Sequence, residues 1–153
     1  MLSSTNKGLK PRVSYNMECI LNAQCFGGQQ QVFRHSSDVT ACDMEFAVYV
    51  PPAAASQRVP VVFYLSGLTC TWANVSEKAG AQKYAAELGL MLVMPDTSPR
   101  GLNLPGEDDD WDFGSGASFY VNAEKEPWAA HYRMFDYVTD ELPQLVGAEF
   151  SVQ

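Results

Sequence analysis

Two short apolar runs separated by a helix-like stretch constrain this sequence more than any other feature. The runs cover residues 61–65 and 90–94, and their β-branched and aromatic content favours buried strands. Residues 74–88, between the two runs, have helical character. A strand, a helix and a strand in this order form a right-handed crossover between parallel strands, so the sequence predicts an α/β fold with a parallel sheet.

The stretch between the runs carries its own boundary signals. Asn74 is predicted to cap the helix together with Glu77, and Gly89 is predicted to end it. Gly80 lowers the helix propensity, and we expect close packing against a neighbouring element to explain its presence. The inner face of the helix is expected to consist of Val75, Ala79, Tyr84, Ala85 and Leu88.

An antiparallel β region is predicted ahead of this unit. Residues 17–26 and 29–35 flank a turn at Gly27-Gly28, which is typical of a β-hairpin, and residues 44–50 alternate as a third strand. Residues 1–16 are polar and are expected to form a loose N-terminal leader. Residues 17–153 contain no repeat or interdomain linker, so they are predicted to belong to one structural unit.

The composition excludes several classes of function. Of the 153 residues, 46% are hydrophobic and 18% are charged, which is the balance of a globular domain. The net charge of −8, without a basic cluster, argues against nucleic-acid binding. This charge also gives no long-range attraction for an anionic substrate, so any anion would have to be held by local donors.

Cellular location and metal chemistry are constrained by what the sequence lacks. It has no run long enough to span a bilayer and no signal-peptide pattern, so we expect a cytoplasmic protein without a membrane partner. The four cysteines include no C-x-x-C pair, and two histidines cannot complete the usual zinc spacings. Free thiols and no metal or other cofactor are therefore expected.

Candidate nucleophiles are few. No G-x-S-x-G motif is present, and Ser66 and Ser115 adjoin glycines without an evident base. Cys70 precedes a helix, where a thiolate is stabilised, but catalysis there would need His35 or His131 as the base. A bystander thiol is the simpler interpretation of Cys70.

A long loop at residues 96–116 is typical of a functional segment. Its acidic run at 107–112 matches the first spacings of an EF-hand, but phenylalanines occupy the positions that require Gly and Glu, so a solvated acidic loop is predicted. Asp96, at the end of a predicted strand, either contacts a ligand or bonds the turn that follows it. Trp128 is expected to pack in the core or in a pocket wall.

Six segments occur in the order and spacing of a known family: LSGLTC, KYAAELG, MPDTSPRG, DDDWDFGSGASFYVNA, PW and HYRMFDYVTDELP. From about Phe26 onward the chain resembles the S-formylglutathione hydrolase, or esterase D, family of α/β-hydrolase serine esterases. The resemblance implies hydrolysis of S-formylglutathione to glutathione and formate, a step of formaldehyde detoxification. It also implies a Ser–His–Asp triad and no metal.

The same resemblance assigns the SGLTC segment to the oxyanion hole. It implies that the backbone N–H of Leu68 is one oxyanion donor and that Gly67 lets the backbone turn so that this N–H points into the site. Gly67, Cys70 and Trp128 are the expected substrate contacts. The family motif G-H-S-M-G-G does not occur in these 153 residues. We therefore expect the N-terminal half of an α/β-hydrolase domain, without its triad and inactive alone.

Expectations about partners follow from this interpretation. Strand 61–65 would be central in a complete sheet, and without the nucleophile strand it would form an exposed apolar edge. We expect a homodimer through this edge or pairing with a complementary C-terminal segment. The alternatives are a non-catalytic binding or assembly remnant of an esterase, a general carboxylesterase fragment and a thiol hydrolase that depends on Cys70.

Overall fold

The computed structural model describes residues 15–153. The predicted leader lies outside the described residues, apart from Tyr15 and Asn16. Five strands form one mixed sheet in the order β1-β2-β3-β5-β4. The strands are β1 (Met17–Cys25), β2 (Gly28–Ser37), β3 (Cys42–Val50), β4 (Val61–Phe63) and β5 (Met91–Pro95).

The antiparallel region forms as predicted, with a shift at its turn. β1 pairs with β2, β2 with β3, and β3 with β5, all in antiparallel register. The hairpin turn is Phe26-Gly27, with φ of 45° and 75°, one residue earlier than predicted. Gly28 instead begins β2, where a Cβ atom would lie 2.2 Å from the carbonyl oxygen of Val50. Glycine is needed at this position because the backbone of Val50 approaches too closely for a Cβ atom.

The predicted parallel crossover is confirmed. β4 and β5 pair in parallel, with Val61 opposite Met91, and two helices connect them. These are α1 (Trp72–Lys78) and α2 (Ala81–Leu88). Side chains from β3 and β5 contribute to one core cluster with α1 and α2 and to another with the C-terminal helical segment. The sheet is therefore covered on both faces, as in α/β proteins.

The connection is two helices and not the single helix that was predicted. Thr71 caps α1, since its hydroxyl accepts from Ala73 N–H while the Asn74 side chain accepts from the Thr71 N–H. Asn74 is thus the third helical residue and not the cap. Gly80 separates the helices with φ of 63°, and a Cβ atom there would meet nothing within 4 Å. The explanation by close packing was wrong, because the backbone conformation is what favours glycine.

The predicted inner face is only partly correct for the same reason. Val75 and Ala85 are buried, whereas Tyr84 is 64% exposed and Leu88 is 70% exposed. The break at Gly80 changes the direction of the second helix, so one helical period cannot describe both. Gly89 ends α2 as predicted, with φ of 65°.

The C-terminal helical segment has three parts. It comprises α3 (Met134–Asp136), a π-helical turn (Tyr137–Glu141) and α4 (Leu142–Glu149), and Pro143 lies in the first turn of α4. The π-helical turn directly precedes the start of α4, where proline is tolerated although it has no N–H to donate. Two short 3₁₀ helices, Pro52–Ala55 and Trp128–Ala130, lie in the connections.

β4 differs most from its prediction. It is three residues long and lies at the edge of the sheet, so the expectation of a buried strand was wrong. Val62 is 42% exposed, Tyr64 52% and Leu65 41%, which confirms the expected apolar edge. The helices within residues 15–153 do not have the length and apolar character that a membrane span requires.

Candidate active site

The loop at residues 66–70 leaves the end of β4 and carries the predicted oxyanion donor. Its sharpest turn is at Thr69, whose φ is 63° and whose N–H donates to the Gly116 carbonyl at 2.8 Å. Gly67 is not in the left-handed region, so the turn expected there is made two residues later. A β-branched residue with positive φ is strained and persists only where surrounding contacts hold it.

Those contacts come from the long loop after β5 and the segment that follows it. The Tyr120 hydroxyl donates to the Ser66 carbonyl at 2.8 Å. The Cys70 carbonyl accepts from the Thr97 hydroxyl at 2.5 Å and from Arg100 Nη2 at 3.1 Å. Both ends of the 66–70 loop are therefore held by hydrogen bonds to distant residues.

Three donors of this loop are left without a partner. Within residues 15–153, the N–H groups of Ser66, Gly67 and Leu68 have no hydrogen-bond acceptor, whereas those of Thr69 and Cys70 donate to the Gly116 and Gly67 carbonyls. A Cβ atom at Gly67 would meet nothing within 4 Å, so the space beside it is open. The loop thus presents unpaired backbone donors on a backbone that is otherwise fixed.

Asp96 supports this arrangement. Its carboxylate accepts from Thr97 N–H at 2.6 Å and from Arg100 Nε at 3.0 Å. Burial raises the pKa of Asp96, and the neighbouring Arg100 opposes that rise. The buried Ser98 hydroxyl accepts from Gly116 N–H at 2.7 Å. The sequence left two roles open for Asp96, a ligand contact or a bond to the following turn. These hydrogen bonds show the second, structural role.

The acidic part of the long loop is not wholly solvated, contrary to the prediction. Glu107 is 2% exposed, accepting from the Tyr132 hydroxyl at 2.6 Å and from Leu104 N–H at 3.2 Å. Burial and the bond to Glu107 raise the pKa of Tyr132 above its usual value. Asp108–Asp110 and Asp112 are exposed as expected. Residues 15–153 contain no cluster of three or more side chains able to hold a metal ion.

The predicted contact residues fall into two groups. Gly67 and Cys70 line a pocket of about 260 Å³ beside the 66–70 loop. Trp128 lines a separate cavity of about 440 Å³, with its ring centroid 5.0 Å from that of Phe113 and 5.2 Å from that of Tyr132. Sequence reasoning missed the tethering role of Tyr120 because its partner lies 54 residues away.

The candidate bases are both engaged away from this loop. His35 is buried, with Nε2 3.0 Å from the Tyr137 hydroxyl, and burial lowers its pKa. His131 Nδ1 lies 2.9 Å from the Thr40 carbonyl oxygen. The Ser66 hydroxyl is buried and has no hydrogen-bond partner within the described residues. Neither histidine is therefore hydrogen-bonded to Ser66 or Cys70. All four cysteines are free thiols, as predicted.

Residues 37–153 match the Esterase family, described as "Putative esterase". This chain belongs to that family. S-formylglutathione hydrolase from Mus musculus is 58% identical over 133 residues, which are 87% of this chain and 47% of that protein. S-formylglutathione hydrolase from Bos taurus is 53% identical over 133 residues, which are again 87% of this chain and 47% of that protein. The resemblance predicted from the six segments is therefore confirmed.

The structure of an S-formylglutathione hydrolase from Agrobacterium tumefaciens matches with a TM-score of 0.85 and 52% identity. That match covers 88% of this chain and 49% of the other. The fold is that of the α/β-hydrolases, as predicted. The chain spans about half the length of the curated relatives it matches.

Proposed function

We propose that this chain forms the oxyanion-hole part of an S-formylglutathione hydrolase, a cytoplasmic enzyme that converts S-formylglutathione and water to glutathione and formate. The observation that carries the proposal is the unpaired Leu68 N–H on a loop whose two ends are tethered. A donor held in place before reaction stabilises developing negative charge without reorganisation.

In the proposed reaction a serine hydroxyl, supplied by a complementary segment of the enzyme, attacks the formyl carbonyl and loses its proton to a histidine. The carbonyl oxygen becomes an anion that accepts from the Leu68 N–H. Collapse of the tetrahedral intermediate breaks the C–S bond, and the departing glutathione thiolate takes up the histidine proton to become the thiol. Water then hydrolyses the formyl-serine to formate and regenerates the serine. The open space beside Gly67 admits the substrate, Cys70 lies in the wall of the adjoining pocket, and Trp128 lies in the wall of the separate, larger cavity.

The outer edge of β4 supports the proposed pairing with that segment. Val59, just ahead of β4, donates its N–H to the Ser151 carbonyl at 3.0 Å, and its own carbonyl accepts from Gln153 N–H at 3.0 Å. This is a parallel bridge between Val59 and Val152. We propose that residues 17–153 and the complementary segment form one α/β-hydrolase domain by extending this parallel pairing along β4. A homodimer through the same edge is the competing assembly.

Replacement of the Leu68 N–H tests the function. The chain is combined with a segment that carries the G-H-S-M-G-G motif, and S-formylglutathione hydrolysis is measured for Leu68→Pro and for the matched control Leu68→Ala, which keeps the N–H. We expect Leu68→Pro to lower kcat about 10²–10³-fold, which corresponds to about 2.7–4 kcal/mol. Leu68→Ala should stay within a few-fold of the parent.

Two results would contradict the proposal. One is absence of turnover in the combined protein when circular dichroism shows that it is folded. The other is equal loss of kcat in both variants, because side-chain packing and not the N–H would then explain the effect. Cys70→Ser should retain turnover, since the proposed nucleophile is a serine.

A further inference from the structure

The pocket beside the 66–70 loop has an unusual charge balance for this protein. Gly67 and Cys70 line it from the loop, and Asn74 and Lys78 line it from α1. None of its lining residues is Asp or Glu, although the protein carries a net charge of −8. A group that enters this pocket therefore meets a cation without a neighbouring carboxylate in the wall.

Lys78 has no carboxylate partner in the described part of the chain. The three ion pairs there join Arg34 to Glu45, Arg100 to Asp96 and Arg133 to Asp136. Lys78 lies in the last turn of α1 with an exposed side chain. Its ammonium group is therefore available to an anion at the pocket.

Neighbouring polar groups in the pocket are donors as well. The Asn74 Oδ1 accepts from Thr71 N–H at 2.9 Å, which orients the amide and leaves Nδ2 without a partner among residues 15–153. The Gly67 N–H is also unpaired within those residues. Hydrogen bonds from cationic and amide donors are the means by which proteins hold carboxylates.

We propose that this pocket binds a carboxylate of the thiol leaving group, with Lys78 as the residue that determines specificity for it. The inference rests on the proposed thioesterase function and adds the subsite for the charged end of the substrate. At about 260 Å³ the pocket is smaller than the clefts of about 300–1,000 Å³ that enclose a drug-sized ligand, so it takes one end of a peptide thiol.

The larger cavity provides a contrast. It has a cation in Lys125, but Glu124 lines the same cavity, and most of the other lining side chains are apolar or aromatic. A carboxylate there would meet a like charge beside the lysine. The geometry therefore favours the Lys78 pocket for the anionic end.

Binding of S-methylglutathione, a thioether that cannot be hydrolysed, tests the proposal without reference to turnover. Isothermal titration into the folded chain is compared for the parent, Lys78→Gln, Lys78→Arg and the control Lys83→Gln, which removes an exposed lysine of α2 outside the pocket. We expect Kd to rise about tenfold in Lys78→Gln, which is about 1.4 kcal/mol. Lys83→Gln should leave Kd unchanged, Lys78→Arg should restore most of the affinity, and added salt should weaken binding.

Several results would overturn the inference: no binding by the parent chain, an equal change in Lys78→Gln and Lys83→Gln, or Lys78-dependent binding of formate as tight as that of S-methylglutathione. The last would assign the pocket to the product. Lys78-dependent binding of S-methylglutathione, together with no hydrolysis of S-formylglutathione by the folded chain combined with the segment that carries the G-H-S-M-G-G motif, would refute the proposed function and leave the carboxylate site standing.

Discussion

β4 and β5 are neighbouring parallel strands with similar apolar sequences, yet their environments differ. All five residues of β5 are buried, while Val62 in β4 is 42% exposed. Within residues 15–153, β5 lies between β3 and β4, whereas β4 pairs with β5 alone and has no strand along its outer side. Position in the sheet, and not composition, therefore decides how much each apolar side chain contributes to stability.

The largest effect should come from the same substitution made in each strand. Val93→Ala, at a position with no exposed surface, should lower the free energy of unfolding by about 2–3 kcal/mol, since it removes two buried carbons and leaves a cavity. Val62→Ala should cost less than about 1 kcal/mol. Urea unfolding of both variants measures the difference, and equal costs would mean that β4 is covered in solution.

Two buried serine hydroxyls near these strands provide the next comparison. Ser98 follows β5 and its hydroxyl accepts from Gly116 N–H, so Ser98→Ala should destabilise the fold by about 1–2 kcal/mol. Ser66 follows β4 and its hydroxyl has no partner in the described residues, so Ser66→Ala should be neutral or stabilise by up to about 1 kcal/mol. The midpoint of thermal unfolding measures both effects, and it should fall in Ser98→Ala and stay unchanged or rise in Ser66→Ala. Destabilisation by Ser66→Ala would show that its hydroxyl has a partner in solution.

A buried histidine should make the interior of the sheet sensitive to pH. Burial lowers the pKa of His35 in the folded state, so folding favours the neutral ring. The stability from this group is complete above the ordinary imidazole pKa of about 6.5, and is lost as pH falls from there toward the folded-state value. Urea midpoints between pH 5 and 8 should show this loss, and His35→Asn should reduce it. His131→Asn is the control, and an equal reduction there would contradict the assignment.

The smallest effect on stability is expected for a substitution at the edge of β4 that reduces self-association of the chain. The free edge of β4 predicts that the purified chain self-associates, and Val62→Lys should reduce this while changing stability by no more than about 0.5 kcal/mol. Ile20→Lys, at an exposed position on the opposite edge strand β1, is the matched control. Size-exclusion chromatography of the parent as a monodisperse, folded monomer would contradict the prediction, as would equal effects of the two lysines.

Much of the fold was predictable because its signals are local. The alternation of residues 44–50, the apolar run of β5 and the glycine that ends α2 each depend on neighbours in the chain, and the structure confirms them. The helix break at Gly80 was missed because glycine inside a helical pattern has two explanations. Only the observed φ of 63° and the empty space beside it distinguish them.

The sequence indicated the family but not the contacts that support the candidate site. The six segments predicted Leu68 as a donor, and that role stays a prediction. The tethers from Tyr120, Thr97 and Arg100 join residues 27 to 54 positions apart, and no periodicity encodes such pairs. The pocket that contains Lys78 arises only when α1 packs beside the loop.

The sequence by itself determined the α/β class, the hairpin, the parallel crossover and the relationship to the esterases. Propensity, turn chemistry and motif order act over a few residues or persist as a linear pattern, so they can be recognised without coordinates. The tertiary structure decided how short the edge strand β4 is, which acidic side chain is buried, and which N–H groups of the 66–70 loop stay unpaired. Each of these depends on what a distant segment covers or bonds, because burial and hydrogen-bond satisfaction are properties of the packed chain.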